Sequence, residues 1–390
     1  MKTYLTHARV ITTNAVVDDA AVLIEDGHIV AINPESTNNV ESISLDGEYL
    51  LPGLVDLHCD AIEKEIEPRP NAFFPMDFAI AQIDRHNAAV GITTPFHAIS
   101  FAHEEFGVRN NEKAAQIVRC LHDYQPQALV NNRVHCRHEI TDPIGLPILL
   151  DLLQEDAIHL ISLMDHTPGQ GQFKNMQAYQ DYLSRTYNKS AAEAQAIAIK
   201  KIDQGADALE RVKTLISKAL SLGVQIASHD DDTPDRITSM QALGVHLSEF
   251  PINLETAQAA QKAGLNTIFG APNLLRGQSQ SGSIKAIDAI KHQVGDILCG
   301  DYSPASLLAA AFRIPDLVGW SLPDAVALVT HNPAQAVNLS DRGEIVPGKR
   351  ADLIAVRCSH NFPQVTTTWV GGRIVYQCHY PMGLGDVGTR

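Results

Sequence analysis

The sequence predicts an α/β protein: a TIM-like (β/α)8 barrel carrying a small β-sandwich lobe built from both chain ends. Three observations predict it. Short apolar runs alternate with helical patterns through the middle of the chain, whereas the two ends alternate apolar and polar residues. Nearly every central apolar run also stops at a His or a carboxylate. Strands alternating with helices imply a parallel sheet, and eight such units in about 290 residues favour a closed barrel over an open sheet.

The elements follow in order. "ARVITTNAVVDDAAVLIEDGHIVAI" has strand alternation and a hairpin turn at "EDGHI". "GEIVPGKRADLIAV" and "TTWVGGRIVY" repeat that style near the other end, with Pro-Gly and Gly-Gly turns. Residues 1–50 and 343–380 are therefore expected to pair into the lobe, 51–342 to form the barrel, and 381–390 to be a loose tail. Eight candidate barrel strands lie at 54–58, 92–97, 133–139, 158–165, 224–229, 245–249, 266–271 and 296–301. Helical patterns such as "DFAIAQIDRHNAAV", "GLPILLDLLQED" and "SLPDAVALVTHN" separate or follow them. The polar, Ala-rich stretch 175–222 reads as a helical insertion after the fourth strand, a lid or an oligomer contact.

Bulk properties narrow the class. A chain of 390 residues exceeds one small core. No apolar run reaches the roughly 18 residues a membrane span needs, so no membrane partner is expected. "MKTYLTHARVITTN" has no apolar signal core and reads as strand. Cysteines 59, 120, 136, 299, 358 and 378 show no C-x-x-C spacing, which suits reduced thiols in the cytoplasm. A net charge of −15 argues against nucleic acid and means that an anionic ligand needs cations placed locally.

Barrel function sits at the C-terminal ends of the strands. In "LLPGLVDLHCD", His58 and Asp60 share a side of the strand, because strand side chains alternate. The later ends supply His97, then His135, Arg137 and Glu139 in "HCRHE", Asp165 and His166 in "SLMDH", and His229 with Asp230 to Asp232 in "IASHDDD". Glu249 in "HLSEF", Asn273 and Arg276 in "GAPNLLRG", and Asp301 in "LCGDY" complete the set. Any one is unremarkable; together they point to a metal site. His and carboxylates without matching Cys suit Zn²⁺, Mn²⁺ or Fe²⁺, as one ion or two. A carboxylate such as Glu139 could bridge two ions, and Asp301 is placed to move a proton. Asp301 has a plainer reading as the N-cap of the helix that "DYSPASLL" opens.

Other residues have plain readings too. Asp230 to Asp232 fit either orienters of His229 or a solvated helix start. His97 is a candidate for contacting the ligands from behind. His138 reads as core by strand parity, and Cys59 should face away from its neighbours His58 and Asp60.

"LPGLVDLHCD", Asp301, "NPAQAVNL" and "GEIVPGKRADLIAV" together resemble the amidohydrolase superfamily. The resemblance implies a metal-dependent barrel with a small β-lobe. Within it, "EPRP", "SLMDHTPGQGQF", "ASHDDDT", "EFP", "FGAPNLLRG" and "GDYSPASLLAAAFR" are similar to the diphosphatase branch of phosphonate catabolism, over roughly residues 3 to 376. That branch releases diphosphate from a 5-triphosphorylated ribose with a phosphonate at C1. The resemblance implies metal ligation by His58, Asp60, Glu139, His166 and His229, with Asp301 as acid–base. Common superfamily members draw their later His ligands from strands five and six, whereas His166 and His229 fall on four and five here. Either a strand is missed or the ligand set is a variant. His-x-Asp in place of His-x-His adds negative charge and favours Mn²⁺ or Fe²⁺ alongside Zn²⁺.

Such a substrate carries several negative charges. Lys64, Arg69, Arg137, Lys174 and Arg276 are the candidate phosphate ligands, with Asn273 beside them. "RGQSQSGS" and "HTPGQGQFKN" are candidate phosphate-cradling loops. Where the branch carries Arg and His, this chain has Gly171 and Gln280. The rival expectation is an amidase or deaminase of the same superfamily acting on a small cyclic amide or amine. Reaction at carbon needs an oxyanion stabiliser but few cations, so the Arg and Lys set favours phosphate. A catalytically dead assembly barrel would be expected to lose ligands, and these are present. A homo-oligomer is expected.

Overall fold

The computed structural model describes all residues except 1, 36–39, 103–107, 168–175, 188–189, 280–281, 360–361 and 381–390, and it omits the side chains of 178, 182, 185–187, 203, 204 and 206. The first five strands are β1 (Lys2–Ile11), β2 (Val16–Glu25), β3 (His28–Ile32), β4 (Glu41–Ser44) and β5 (Tyr49–Pro52). The barrel strands are β6 (Leu54–Cys59), β7 (Ile92–Phe101), β8 (Arg133–Glu139), β9 (Leu160–Met164), β10 (Gln225–His229), β11 (Leu247–Glu249), β12 (Asn266–Gly270) and β13 (Ile297–Cys299). The last three are β14 (Leu353–Ser359), β15 (Phe362–Val370) and β16 (Arg373–Gln377).

Strands from both ends form one mixed sheet in the order β16-β15-β14-β5-β1-β2-β3, with β4 added on β1. Its turns explain its registers. The β2–β3 hairpin turns at Asp26 and Gly27, with φ of 49° and 82°, and the β15–β16 hairpin at Gly371 and Gly372, with 54° and 71°. Two consecutive positive φ values make the tight turn whose twist matches paired strands. Leu5, Val10, Val22, Ile24, Leu50, Leu353 and Trp369 bury their side chains on the sheet's inner face.

Strands β6 to β13 form a parallel sheet in sequence order. All eight fall on the expected segments. A bridge between Cys59 and Asp301 brings the last strand back to the first, nearly closing the barrel. β6 and β7 are buried along their whole length, as strands covered on both faces must be. Val55, Leu57, Phe96, Leu160, Ala227, Leu247, Ile268 and Ile297, one or two from most strands, pack into one interior cluster. Larger clusters lie between strands and helices.

The helices are α1 (Ala61–Ile66) and α2 (Met76–Ala89) after β6, α3 (Asn111–Tyr124) after β7, and α4 (Gly145–Gln154) after β8. Next come α5 (Met176–Tyr187), α6 (Ala191–Gln204) and α7 (Ala208–Ser221) after β9, α8 (Pro234–Ala242) after β10, and α9 (Leu254–Lys262) after β11. The remainder are α10 (Ala271–Arg276), α11 (Ala286–Lys291), α12 (Ser306–Val318), α13 (Leu322–Ala327) and α14 (His331–Ala336). The stretch read as one insertion divides in two. Val212, Leu215, Ile216 and Ala219 of α7 pack into the barrel wall. By contrast, α5 and α6 share a small core of their own, Tyr179, Leu183, Ala194 and Ala198. Among the described residues no helix is long and apolar enough to cross a membrane.

Candidate active site at the rim of the barrel

β6 sets the site. Its pairing with β7 shifts register between Asp56 and Cys59, and such an irregularity re-aims side chains. Leu57 therefore joins the interior cluster while its neighbour His58 faces the other strand ends. His58 lies between two carboxylates: Nδ1 is 3.1 Å from Glu249 Oε1, and Nε2 is 3.2 Å from Asp60 Oδ1. Burial would push this imidazole down, but Glu249 and Asp60 outweigh it and raise it to about 10. Burial likewise pushes Glu249 up, yet His135 and His58 bring it down to about 2. For Asp60 the same contest is won by Arg137 and His58, which hold it well below the usual carboxylate range.

Arg137, from β8, ties the cluster together. Its Nη1 lies 3.3 Å from Asp60 Oδ1, and its Nη2 donates to His229 Nε2 at 3.4 Å. The other ring nitrogen of His229, Nδ1, faces Asp230. That nitrogen is 3.3 Å from Asp230 Oδ2. Asp301 joins through the backbone: its N–H donates to His58 O at 2.7 Å, and its carbonyl accepts from Asp60 N at 3.0 Å. Burial and the nearby Asp60 raise its carboxyl. Its N-cap reading fails, because the helix that follows starts at Ser306.

Glu139 and His166 form an adjoining pair. Glu139 Oε2 meets His166 Nδ1 at 3.1 Å and Lys201 Nζ at 3.2 Å, and Oε1 accepts from Thr141 Oγ1 at 3.0 Å and from His166 N at 3.3 Å. Burial favours the neutral acid, but Lys201 and His166 lower Glu139 far below its ordinary value. The His166 ring is 6.4 Å from that of His229, centre to centre. No strand is missing: His166 follows the fourth barrel strand and His229 ends the fifth.

Sequence reasoning quoted Glu249 but left it out of the ligand set. The β10–β11 register places it directly opposite His229, so the sixth strand end was the available signal. Lys201 was not anticipated; it arrives from α6, across 62 positions of sequence. Asp56 was also passed over, although Asp56, His58 and Asp60 repeat at period two.

The cationic candidates separate. Arg137 lies inside the cluster. Arg276 is exposed and donates at 3.1 Å to the Oη of Tyr302, the residue after Asp301. Lys64 and Arg69 are exposed on and after α1. Asn273 commits its side chain to its own loop, donating to Ile284 O and accepting from Ala286 N. Lys174, Gly171 and Gln280 lie outside the described residues, as does most of "HTPGQGQFKN". His97 bonds Asn132 at 2.8 Å, within a buried group that includes Asp84. Asp231 is fully buried and accepts from Ser228 and Ser248, joining β10 to β11, rather than standing in solvent. His138 is buried, as parity suggested.

The donor set fits a divalent ion. His58, His229 and Glu249 form one group of ligand atoms, and His58, Asp60 and Asp301 another, each within 4.8 Å of one another. Glu249 Oε2 is buried and accepts no hydrogen bond from the described residues, with His135 Nε2 3.7 Å away. An anionic oxygen without a donor at such depth is costly unless a cation serves it. Imidazole and carboxylate together suit Zn²⁺, Mn²⁺ or Fe²⁺.

Known proteins share this architecture. The amidohydrolase family profile matches residues 180–375. The alpha-D-ribose 1-methylphosphonate 5-triphosphate diphosphatase of Escherichia coli K12 is 34% identical over 377 residues, covering 95% of this chain and 100% of that one. Imidazolonepropionase of Deinococcus deserti is 24% identical over 88% of this chain and 86% of its own. Among solved structures, N-acetylglucosamine-6-phosphate deacetylase from Pasteurella multocida superposes with a TM-score of 0.63 at 15% identity, covering 96% and 99% of the two chains. N-isopropylammelide isopropylaminohydrolase from Burkholderia multivorans does so at 0.65 and 16%, covering 97% and 98%. With its barrel, its terminal lobe and its His and carboxylate strand ends, the chain belongs to the amidohydrolase family.

Proposed function

We propose that this protein is a metal-dependent diphosphatase that releases diphosphate from a 5-triphosphorylated ribose bearing a phosphonate at C1, in phosphonate catabolism. The observation that carries the reading is the 34% identity over 95% of the chain with the Escherichia coli diphosphatase. The cluster at the strand ends supports the same chemistry.

His58, Asp60, His229 and Glu249 would hold the ion, with Asp301 beside them and the Glu139–His166 pair adjoining. Zn²⁺ is the first choice and Mn²⁺ or Fe²⁺ the alternatives. When bound, the ion would polarise a phosphoryl oxygen and acidify a water. The Asp301 carboxylate takes the proton of the attacking water and returns it to the leaving oxygen. Arg276, held by Tyr302, grips phosphate oxygens beside Asp301, and Lys64 and Arg69 extend positive charge outward. The reading places the protein in the cytoplasm, in keeping with cysteines that form no disulfide among the described residues, and as a homo-oligomer, which light scattering would test.

The decisive experiment incubates Zn²⁺- or Mn²⁺-loaded protein with ribose 1-methylphosphonate 5-triphosphate and follows products by phosphorus NMR. Diphosphate and the 5-monophosphate are expected. Unchanged substrate, with metal demonstrably bound, would overturn the reading and direct the search to cyclic amides and amines.

A further inference from the structure

We propose that the protein has a second, separate anion site at the N-terminal ends of the barrel strands, centred on Arg133 and filled by a small inorganic oxyanion such as phosphate. The site is independent of the metal centre and of the reaction proposed above.

Arg133 opens β8 and Glu139 ends it. Six steps of about 3.3 Å put the two about 20 Å apart, so Arg133 lies at the opposite mouth of the barrel from the metal centre. Its partner on β7 is Phe96, and the Arg133 guanidinium carbon is 5.8 Å from the centre of that ring. The His159 ring meets the same Phe96 edge-on at 6.5 Å. The buried Arg342 donates at 2.9 Å to the Oγ1 of Thr94, which shares a face of β7 with Phe96.

Arg133 differs from its neighbours in having no acid of its own. Asp341 accepts from Arg342, and Asp352 accepts from Arg350. Arg133 makes no hydrogen bond and no ion pair among the described residues, and its Nε is buried. Asp156 acts on it only from an exposed position beyond ion-pair distance, where water screens the attraction. Burial and Arg342 bring the guanidinium down to about 10, so it stays charged at neutral pH. Burial and Arg133 in turn hold His159 down at about 3. Both shifts have the sign of a positive potential that no anion offsets, and a cation so placed is costly until one does.

Space and donors define what fits. A cavity of 170 Å³ lies alongside, lined by Asn132 and Val134 on either side of Arg133 and by Gln125, Asn131, Asp156 and His159. That volume holds several waters but is below the roughly 300 Å³ at which pockets for drug-sized molecules begin, which selects a small ion over a nucleotide. His159 supplies a second donor. Its Nδ1 accepts the N–H of Val134 at 3.1 Å, so the neutral ring carries its proton on Nε2. A planar guanidinium and a fixed N–H suit the oxygens of phosphate.

Calorimetric titration with inorganic phosphate tests this on protein stripped of metal by a chelator, so that no ion at the rim can hold the anion. Wild type, Arg133→Met and Arg276→Ala would be compared, with circular dichroism to report folding. One phosphate per chain is expected in wild type and in Arg276→Ala, bound about tenfold or more weakly in Arg133→Met. No binding in wild type, or equal affinity in a folded Arg133→Met, would overturn the inference. Loss of binding in Arg276→Ala would overturn it too, by putting the phosphate at the rim. If Arg133→Met does not fold, crystals of wild type soaked in selenate decide, because selenium scatters anomalously. A peak within hydrogen-bond reach of Arg133 is expected, and none there would sink the site. With no metal bound and no turnover read, these outcomes leave the diphosphatase reading untouched.

Discussion

Asp56 leaves no room for a side chain at Gly300. A Cβ there would fall onto Asp56 Oδ2, while Asp56 Oδ1 accepts the N–H groups of Gly300 at 2.9 Å and His58 at 3.1 Å. One buried acid thus staples the last barrel strand to the first, and burial raises it to about 7. Gly300→Ala should force this acid aside and loosen both His58 and Asp301. The expected cost is about 2–3 kcal/mol from overpacking and lost hydrogen bonds, read as a lower thermal midpoint together with weaker metal binding. An unchanged midpoint would show that the staple carries no load.

Glu249 and Asp301 should part company when neutralised. Glu249→Gln removes the buried anion facing His58, so metal affinity should fall about 10- to 100-fold. Asp301→Asn should instead lower kcat about 10²- to 10⁴-fold while the ion stays bound. Dialysis against a metal buffer and steady-state rates separate the two. If Asp301→Asn loses its ion, it is chiefly a ligand.

Acid stability should carry the mark of His159. Its Nδ1 accepts the N–H of Val134 at 3.1 Å, which needs that nitrogen bare. Burial, aided by Arg133, depresses the imidazole from 6.5 to about 3. Between those values the unfolded chain binds a proton that the folded one refuses, so stability falls as pH drops through that window. The slope is about 1.4 kcal/mol per pH unit for one such group. His159→Asn keeps an acceptor but not the titration. Denaturation between pH 6 and pH 4 should then show a shallower slope; an identical one would clear His159 of the effect.

Arg276 is exposed and donates to Tyr302 Oη, so its removal should spare the fold. Arg276→Ala should raise KM for the triphosphate about tenfold, in line with loss of a charge-assisted hydrogen bond. A neutral ester should be unaffected. Equal changes for both would remove Arg276 from phosphate binding.

Much of this molecule was legible as pattern. Eight apolar runs with polar ends marked eight strands, because a parallel strand buried on both faces must be apolar until it leaves the core. Parity put His58 with Asp60 and turned His138 inward. The Asp-Gly and Gly-Gly pairs marked the hairpins that positive φ requires. Local rules carry such features, since each depends on a few adjacent residues.

The centre itself is not local. Glu249 became a partner of His58 across 191 positions, through the register of β11 on β10. Arg137 was read as a substrate ligand, and its guanidinium also lies 3.3 Å from Asp60, 77 positions away at the end of the next strand but one. Asn273 offered an amide to substrate in sequence and gives it to its own loop in space. By itself the sequence determined the barrel, the lobe and the strand ends where chemistry gathers. Only the tertiary structure decided which charges face one another, because a long side chain settles where burial and opposite charge are both satisfied, and those partners come from distant strands.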